Sequence, residues 1–162
     1  MKIGVISDTH IPERARVLPE KLCAELEKCD MIIHVGDMVT MEVVQALKKI
    51  CPNFKAVCGN MDPDPIKKQF PEKEIIQVGK FKIGLKHGNG PPDKVLSLMK
   101  DFFEKDDVDM IIFGHSHNPI NKKDGKIIFF NPGSPTDEIF APYKSFGIIE
   151  INGKIKARIV KL

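Results

Sequence analysis

The amino-acid sequence predicts an α/β fold in which two β-sheets pack together with helices on the outside. Three observations carry that prediction. The first half of the chain alternates apolar, β-branched runs with amphipathic helical segments, in the order βαβαβ. The second half has one helical segment and otherwise alternating strands, with turns at Asp124-Gly125 and Asn152-Gly153. The chain of 162 residues is 42% hydrophobic and 29% charged, a globular composition, so residues 1–162 are read as a single domain. A chain of this length should expose roughly 8,000 Å² folded against about 26,000 Å² unfolded, so its core needs no disulfide or metal staple.

The elements follow in order. Residues 2–7 are a β-branched strand ending in a polar loop. Residues 18–28 place Leu22, Leu26 and Cys29 at helical spacing, and Pro19 suits a first helical turn. Residues 31–35 form an apolar run around His34, the mark of a strand buried on both faces. Thr40 suits the cap of a helix running to Lys49, with Val43, Val44 and Leu47 on its apolar side. Residues 54–58 are a third strand. Residues 59–71 contain Pro63, Pro65 and Pro71 and read as a loop long enough to act as a partial lid. Residues 74–78 and 81–86 flank Gly79-Lys80 as a hairpin. Residues 91–104 are helical and residues 109–113 are another buried strand. Asp30-Met31-Ile32-Ile33 and Asp109-Met110-Ile111-Ile112 echo each other, one local solution used twice.

Composition excludes several functions. The formal charge of +3 is small and the lysines are scattered, which argues against a nucleic-acid polymer as partner. No run approaches the 18 or so apolar residues of a membrane span. The four cysteines, at 23, 29, 51 and 58, lack the spacing of a zinc knuckle or redox motif. Reduced, mostly buried thiols in a cytoplasmic protein are expected. The chain enters its first strand at once, and no signal peptide is expected.

Five small clusters each follow an apolar run: Asp8-Thr9-His10, Gly36-Asp37, Gly59-Asn60-Met61-Asp62, His87-Gly88 and Gly114-His115-Ser116-His117. Ligand crevices of α/β sheets lie at the carboxyl ends of strands, so the five should converge on one rim. From them Asp8 and Asp37 offer two carboxylates, His10, His87, His115 and His117 four imidazoles and Asn60 one amide oxygen, a donor set for divalent first-row metals. Seven ligands fill two four-ligand sites when one carboxylate bridges. His34 lies inside its apolar run and is assigned a packing or supporting role. No G-x-S-x-G, P-loop or H-E-x-x-H motif is present.

This ordered set resembles the signature of the calcineurin-like metallophosphoesterase superfamily. Ser7-Asp8-Thr9-His10, Asn131-Pro132-Gly133-Ser134 and the small size resemble its compact bacterial and archaeal phosphodiesterase branch. The resemblance implies a four-layer αββα sandwich of two mixed β-sheets flanked by helices, and a dinuclear centre. It places Asp8, His10, Asp37 and His117 on one ion, and Asp37, Asn60, His87 and His115 on the other, with Asp37 bridging. Asp37, Asn60 and His87 are then the expected catalytic residues, and Asn60 also touches the substrate phosphate. Manganese is the ion the likeness favours; nickel, iron, cobalt and zinc are compatible with the same ligands. The implied reaction is hydrolysis of a small phosphodiester by in-line attack of a metal-bridging hydroxide.

One position departs from the pattern. Many relatives carry a His after the Asn, able to protonate the leaving group, and here Met61 stands there. Good leaving groups should therefore be preferred. Asp62 would orient a ligand or cap the loop, and Asn131–Ser134 would shape a turn. Arg14 and Arg16, two of only three arginines, would bind a substrate phosphate at the mouth. The same fold also serves in the retromer coat as an interaction subunit with a degraded metal site, so a non-catalytic scaffold is the alternative reading, and a phosphomonoesterase a third. Exposed strand edges in the second half would suit a homo-oligomer.

Overall fold

The computed structural model describes residues 1–162. Ten strands make two five-stranded sheets. The first sheet contains β1 (Lys2–Ile6), β2 (Met31–His34), β3 (Phe54–Ala56), β9 (Ser145–Ile151) and β10 (Ile155–Lys161), in the order β10-β9-β1-β2-β3. The second contains β4 (Lys73–Val78), β5 (Phe81–Lys86), β6 (Met110–Ile112), β7 (Ile120–Asp124) and β8 (Ile127–Asn131), in the order β4-β5-β6-β8-β7. Both are mixed. β1, β2 and β3 run parallel, as do β5, β6 and β8, with antiparallel strands outside them.

The apolar side chains sort into three layers, which makes the molecule a four-layer αββα sandwich. Strand periodicity does the sorting, because alternate residues face opposite sides. Ile3, Val5, Ile33 and Val35 of the first sheet meet Ile83, Leu85, Ile112 and Phe130 of the second. On the outer face of the first sheet, Ile6 and Ile32 pack with α1 (Glu20–Leu26), α2 (Met41–Ile50) and α3 (Asp64–Gln69) through Leu22, Leu26, Val44, Leu47 and Ile66. On the outer face of the second, Ile111 and Phe129 meet Val95 and Met99 of α4 (Val95–Phe102) and Phe103 just beyond it. The folded surface is 7957 Å², as the length requires.

The echo seen in the sequence has a physical basis. The Asp30 carboxylate accepts the Lys2 amide at 2.6 Å, and the Asp109 carboxylate accepts the Lys82 amide at 2.9 Å. Each aspartate ties the start of one parallel strand to that of its neighbour. Two local expectations need correction. Residues 59–71 are not all loop: Asp64–Gln69 is α3, and its prolines stand at its start, Pro63 as N-cap and Pro65 where no amide donor is required. Thr40 sits at the N-cap of α2, but its hydroxyl makes no capping bond. No helix is long and apolar enough to cross a membrane, and all four cysteines are free.

Candidate metal centre

All five clusters lie just past the carboxyl ends of parallel strands, on one rim of the sandwich. β1, β2 and β3 deliver Asp8, His10, Asp37 and Asn60; β5 and β6 deliver His87, His115 and His117. Aiming these side chains inward distorts the backbone. Asp8, His10, Asp37, His115 and His117 all hold positive φ, between 41° and 66°. Each such residue costs of order 1 kcal/mol, which the surrounding contacts must hold in place. Close approach also matters: a Cβ at Gly59 would lie 2.1 Å from Asp37 Oδ1, and one at Gly114 would lie 1.9 Å from Ser7 Oγ.

The inner atoms converge. Asp8 Oδ1 lies 3.4 Å from His117 Nε2, 3.7 Å from His87 Nε2 and 3.9 Å from His10 Nε2. Asp37 Oδ2 lies 3.2 Å from His87 Nε2 and 3.5 Å from His10 Nε2. His10 and His117 oppose Nε2 to Nε2 at 3.3 Å. Two buried clusters with metal-ligand geometry result: Asp8, His10 and His117, and Asp8, Asp37 and His87. Asp8 belongs to both, while Asp37 Oδ2 lies between His10 and His87. The outer pair stands apart. Asn60 is exposed and His115 half-buried, and their Oδ1 and Nδ1 atoms are 3.1 Å apart, about the spacing of neighbouring ligands on one ion.

Whether the set fits a metal is tested by one atom. His87 Nε2 is buried at the centre and has no hydrogen-bond partner, although Asp37 is close. Its Nδ1 is engaged by the Val35 carbonyl at 2.8 Å, which turns Nε2 into the site. Buried nitrogens are seldom left unpaired, and a cation bound here would supply the missing partner.

Charge points the same way. Burial alone would raise the Asp8 carboxyl, but the charges of His87 and His117 and the hydrogen bond from Ser7 hold it well below the usual carboxylate range. Asp37 is likewise lowered, burial being outweighed by His87. Burial would lower His87, yet Asp8 and Asp37 hold it up at about 9. Two desolvated carboxylates thus attract positive charge to a point between them. His34, by contrast, is pushed down to about 3 by burial. It buttresses the rim, with Nε2 3.2 Å from Thr9 Oγ1 and Nδ1 accepting the Gly36 amide.

Several residues support the ligands; the sequence singles out Asp62 as a loop cap, which it is, and not the others in these roles. Asp137 Oδ2 lies 2.5 Å from His117 Nδ1, the carboxylate–histidine pairing that orients ligating imidazoles. The same carboxylate accepts the Ile139 amide on Oδ1 and those of Phe140 and Ala141 on Oδ2. Ser134 Oγ donates to the Asp8 carbonyl and Thr136 Oγ1 to the Thr9 carbonyl, both at 2.7 Å. These two hydroxyls buckle the first rim loop to the chain after β8. The other oxygen of Asp8, Oδ2, accepts from Ser7 and the His115 amide, at 2.5 and 3.0 Å. Asp62, buried, ties two loops together by accepting the Asp37, Val39 and Gly59 amides. Of these, Ser7, Asp62 and Ser134 lay within quoted motifs; Asp137, twenty residues from His117, had no local signal.

Above the ligands opens a cleft of about 720 Å³, lined by Arg14, Met61 and Phe140 among others. Arg14 is at this mouth, its Nε 3.8 Å from Asp137. Arg16 is not: past the turn after residue 14 it lines a separate apolar groove with Val17 and Ile50. Met61 is half exposed on the cleft wall, and its amide donates to Asp37 Oδ1.

The architecture is that of a phosphoesterase-type active site, and comparison with known proteins agrees. The calcineurin-like phosphoesterase superfamily domain matches residues 1–154, and the chain belongs to that superfamily. It is 36% identical to a probable metallophosphoesterase of Methanocaldococcus jannaschii, over 100% of this chain and 82% of that one. It is 31% identical to vacuolar protein sorting-associated protein 29 (Vps29) of Schizosaccharomyces pombe, covering 96% and 87% of the two. Among solved structures it is similar to Vps29 of Entamoeba histolytica complexed with Zn²⁺, with a TM-score of 0.77 at 28% identity and 99% coverage of both chains.

Proposed function

We propose that this chain is a metal-dependent phosphodiesterase for small phosphodiesters. In this reading Asp8, His10, Asp37 and His117 hold one divalent ion, and Asp37, Asn60, His87 and His115 hold the other. The observation that carries it is the unpartnered, buried His87 Nε2 set among carboxylates and imidazoles from both sheets. When bound, a pair of divalent ions lowers the pKa of a water and offsets charge on the phosphate. The chain's own residues do the rest. Asp8 and Asp37 are each anchored by backbone amides, Asp8 by that of His115 and Asp37 by that of Met61, and each turns one oxygen toward the imidazoles, where a cation would sit. The Asn60 amide and the Arg14 guanidinium reach the cleft, placed to orient phosphate oxygens. Met61 offers no proton, so the reaction should favour leaving groups that depart as anions.

A second reading, a non-catalytic interaction scaffold, is the one the comparisons favour, through the likeness to two Vps29 proteins over nearly the whole chain. Against it stands the donor set: all seven ligand positions carry competent side chains. Metal binding alone does not separate the readings, since a Vps29 has been solved with Zn²⁺. Turnover does. The test is hydrolysis of bis(p-nitrophenyl) phosphate and p-nitrophenyl phosphate with Mn²⁺, Ni²⁺, Fe²⁺, Co²⁺ and Zn²⁺, with Asp37→Asn and His87→Ala as controls. The diesterase reading expects the diester to turn over faster than the monoester, and both variants to lose at least about 100-fold. No turnover with any ion, or turnover undiminished in the variants, gives the scaffold reading the field.

A further inference from the structure

Phe140 is an unusual wall for a phosphate site. Its side chain is 67% exposed, yet it lines the same cleft as His10, Asn60 and His117. A lone exposed apolar residue needs no explanation. This one is held in place from three sides. Its backbone amide, with those of Ile139 and Ala141, is bound by the Asp137 carboxylate that also orients His117. Its ring meets the His117 ring near edge-on, with centroids 6.2 Å apart and an interplanar angle of 75°. The Arg14 guanidinium carbon lies over the ring, 5.1 Å from its centroid. A fixed, bare aromatic ring beside a phosphate site is a stacking surface.

We infer that Phe140 forms a subsite for a planar aromatic group esterified to the substrate phosphate, which makes the substrate an aryl or nucleoside phosphodiester. This rests on the phosphodiesterase reading above. Arg14 serves both halves of such a substrate. It completes the ring's surroundings and brings positive charge to the phosphate end. Asp137 sets His117 and the Phe140 loop together, so the aromatic group and the phosphate are positioned by one carboxylate.

The test is equilibrium binding to the Mn²⁺-loaded protein, followed by calorimetry rather than by turnover. Two ligand pairs are compared: phenyl phosphate against methyl phosphate, and adenosine 5′-monophosphate against ribose 5-phosphate. Members of each pair share the phosphate and differ in the ring. The aromatic member should bind about tenfold tighter in at least one pair. Preference in the first pair only assigns a small aryl group; preference in the second assigns a nucleobase. Phe140→Ala should bring the ratio close to one, and Phe140→Trp should keep it. Equal binding within both pairs, a ratio that survives Phe140→Ala, or no binding of any of the four overturns the inference. Hydrolysis of bis(p-nitrophenyl) phosphate by the same preparations reports on the underlying reading separately: turnover without an aromatic preference removes the subsite alone.

Discussion

The inner five candidate ligands and the outer two are held by different means. Asp8, His10, Asp37, His87 and His117 are buried, and four of them spend their second polar atom on the protein. Asp8 is bound by Ser7 and the His115 amide, Asp37 by the Met61 amide, His87 by the Val35 carbonyl and His117 by Asp137. Asn60 and His115 stand at the mouth, and their side chains lean on each other. The inner set is therefore preorganised by the fold, at the expense of several left-handed residues. The outer pair sits at the open mouth, the Asn60 side chain held only by His115 and His115 also meeting the Gly90 carbonyl at 2.9 Å, so it can yield to what enters more readily than the buried five. One ion site should be tight and the other adjustable.

That contrast fails or sharpens at three positions. The largest effect is expected at Asp37, the ligand of both ions in the proposed assignment, whose Oδ2 lies between His10 and His87. Asp37→Ala should weaken binding of both ions by more than about 100-fold, read by calorimetric titration with Mn²⁺ or Zn²⁺. If one ion still binds with native affinity, the inner set is not a unit. Next comes Asp137→Asn, which leaves His117 in place but loosens its aim. An affinity loss of about 10- to 100-fold is the range for such partners. An unchanged titration would mean that burial alone orients His117. The smallest effect is expected at the mouth. His115→Ala should reduce the stoichiometry from two ions to one while moving the tighter site by less than about threefold, because no inner cluster includes it. Loss of both ions in that variant would erase the distinction between inner and outer ligands.

Much of this centre was legible in the sequence because its parts obey a local rule. An apolar run announces a strand, and the polar residues directly after it lie at the strand's carboxyl end. Asp8, Asp37, His87 and His117 each follow that pattern, and the structure brings them together. The Asp30 and Asp109 echo was legible for the same reason, since each carboxylate acts on the first residues of an adjacent strand. What escaped obeys no local rule. Asp137 and Ser134 act on residues 20 and 126 positions away. No spacing in the chain links them to their targets. Pro63 and Pro65 suggest a loop because proline disfavours helix interiors, but at a helix start the missing amide is no loss. Arg14 and Arg16 looked alike in the sequence, and a turn sent them to different surfaces.

The buckle between the first rim loop and residues 134–137 sets an order of events during synthesis. β1 lies at the centre of its sheet, between β2 and β9, and β9 is made almost last. Asp8 leaves the ribosome early, but Ser134 and Asp137 follow only after well over a hundred further residues. At about 5–20 residues per second that is a wait on the order of ten seconds. Through that interval the first carboxylate and imidazole of the centre are unsupported, whereas His117 precedes its partner Asp137 by only 20 residues. A metal bound at this centre would therefore meet its full set of oriented ligands only once the domain closes.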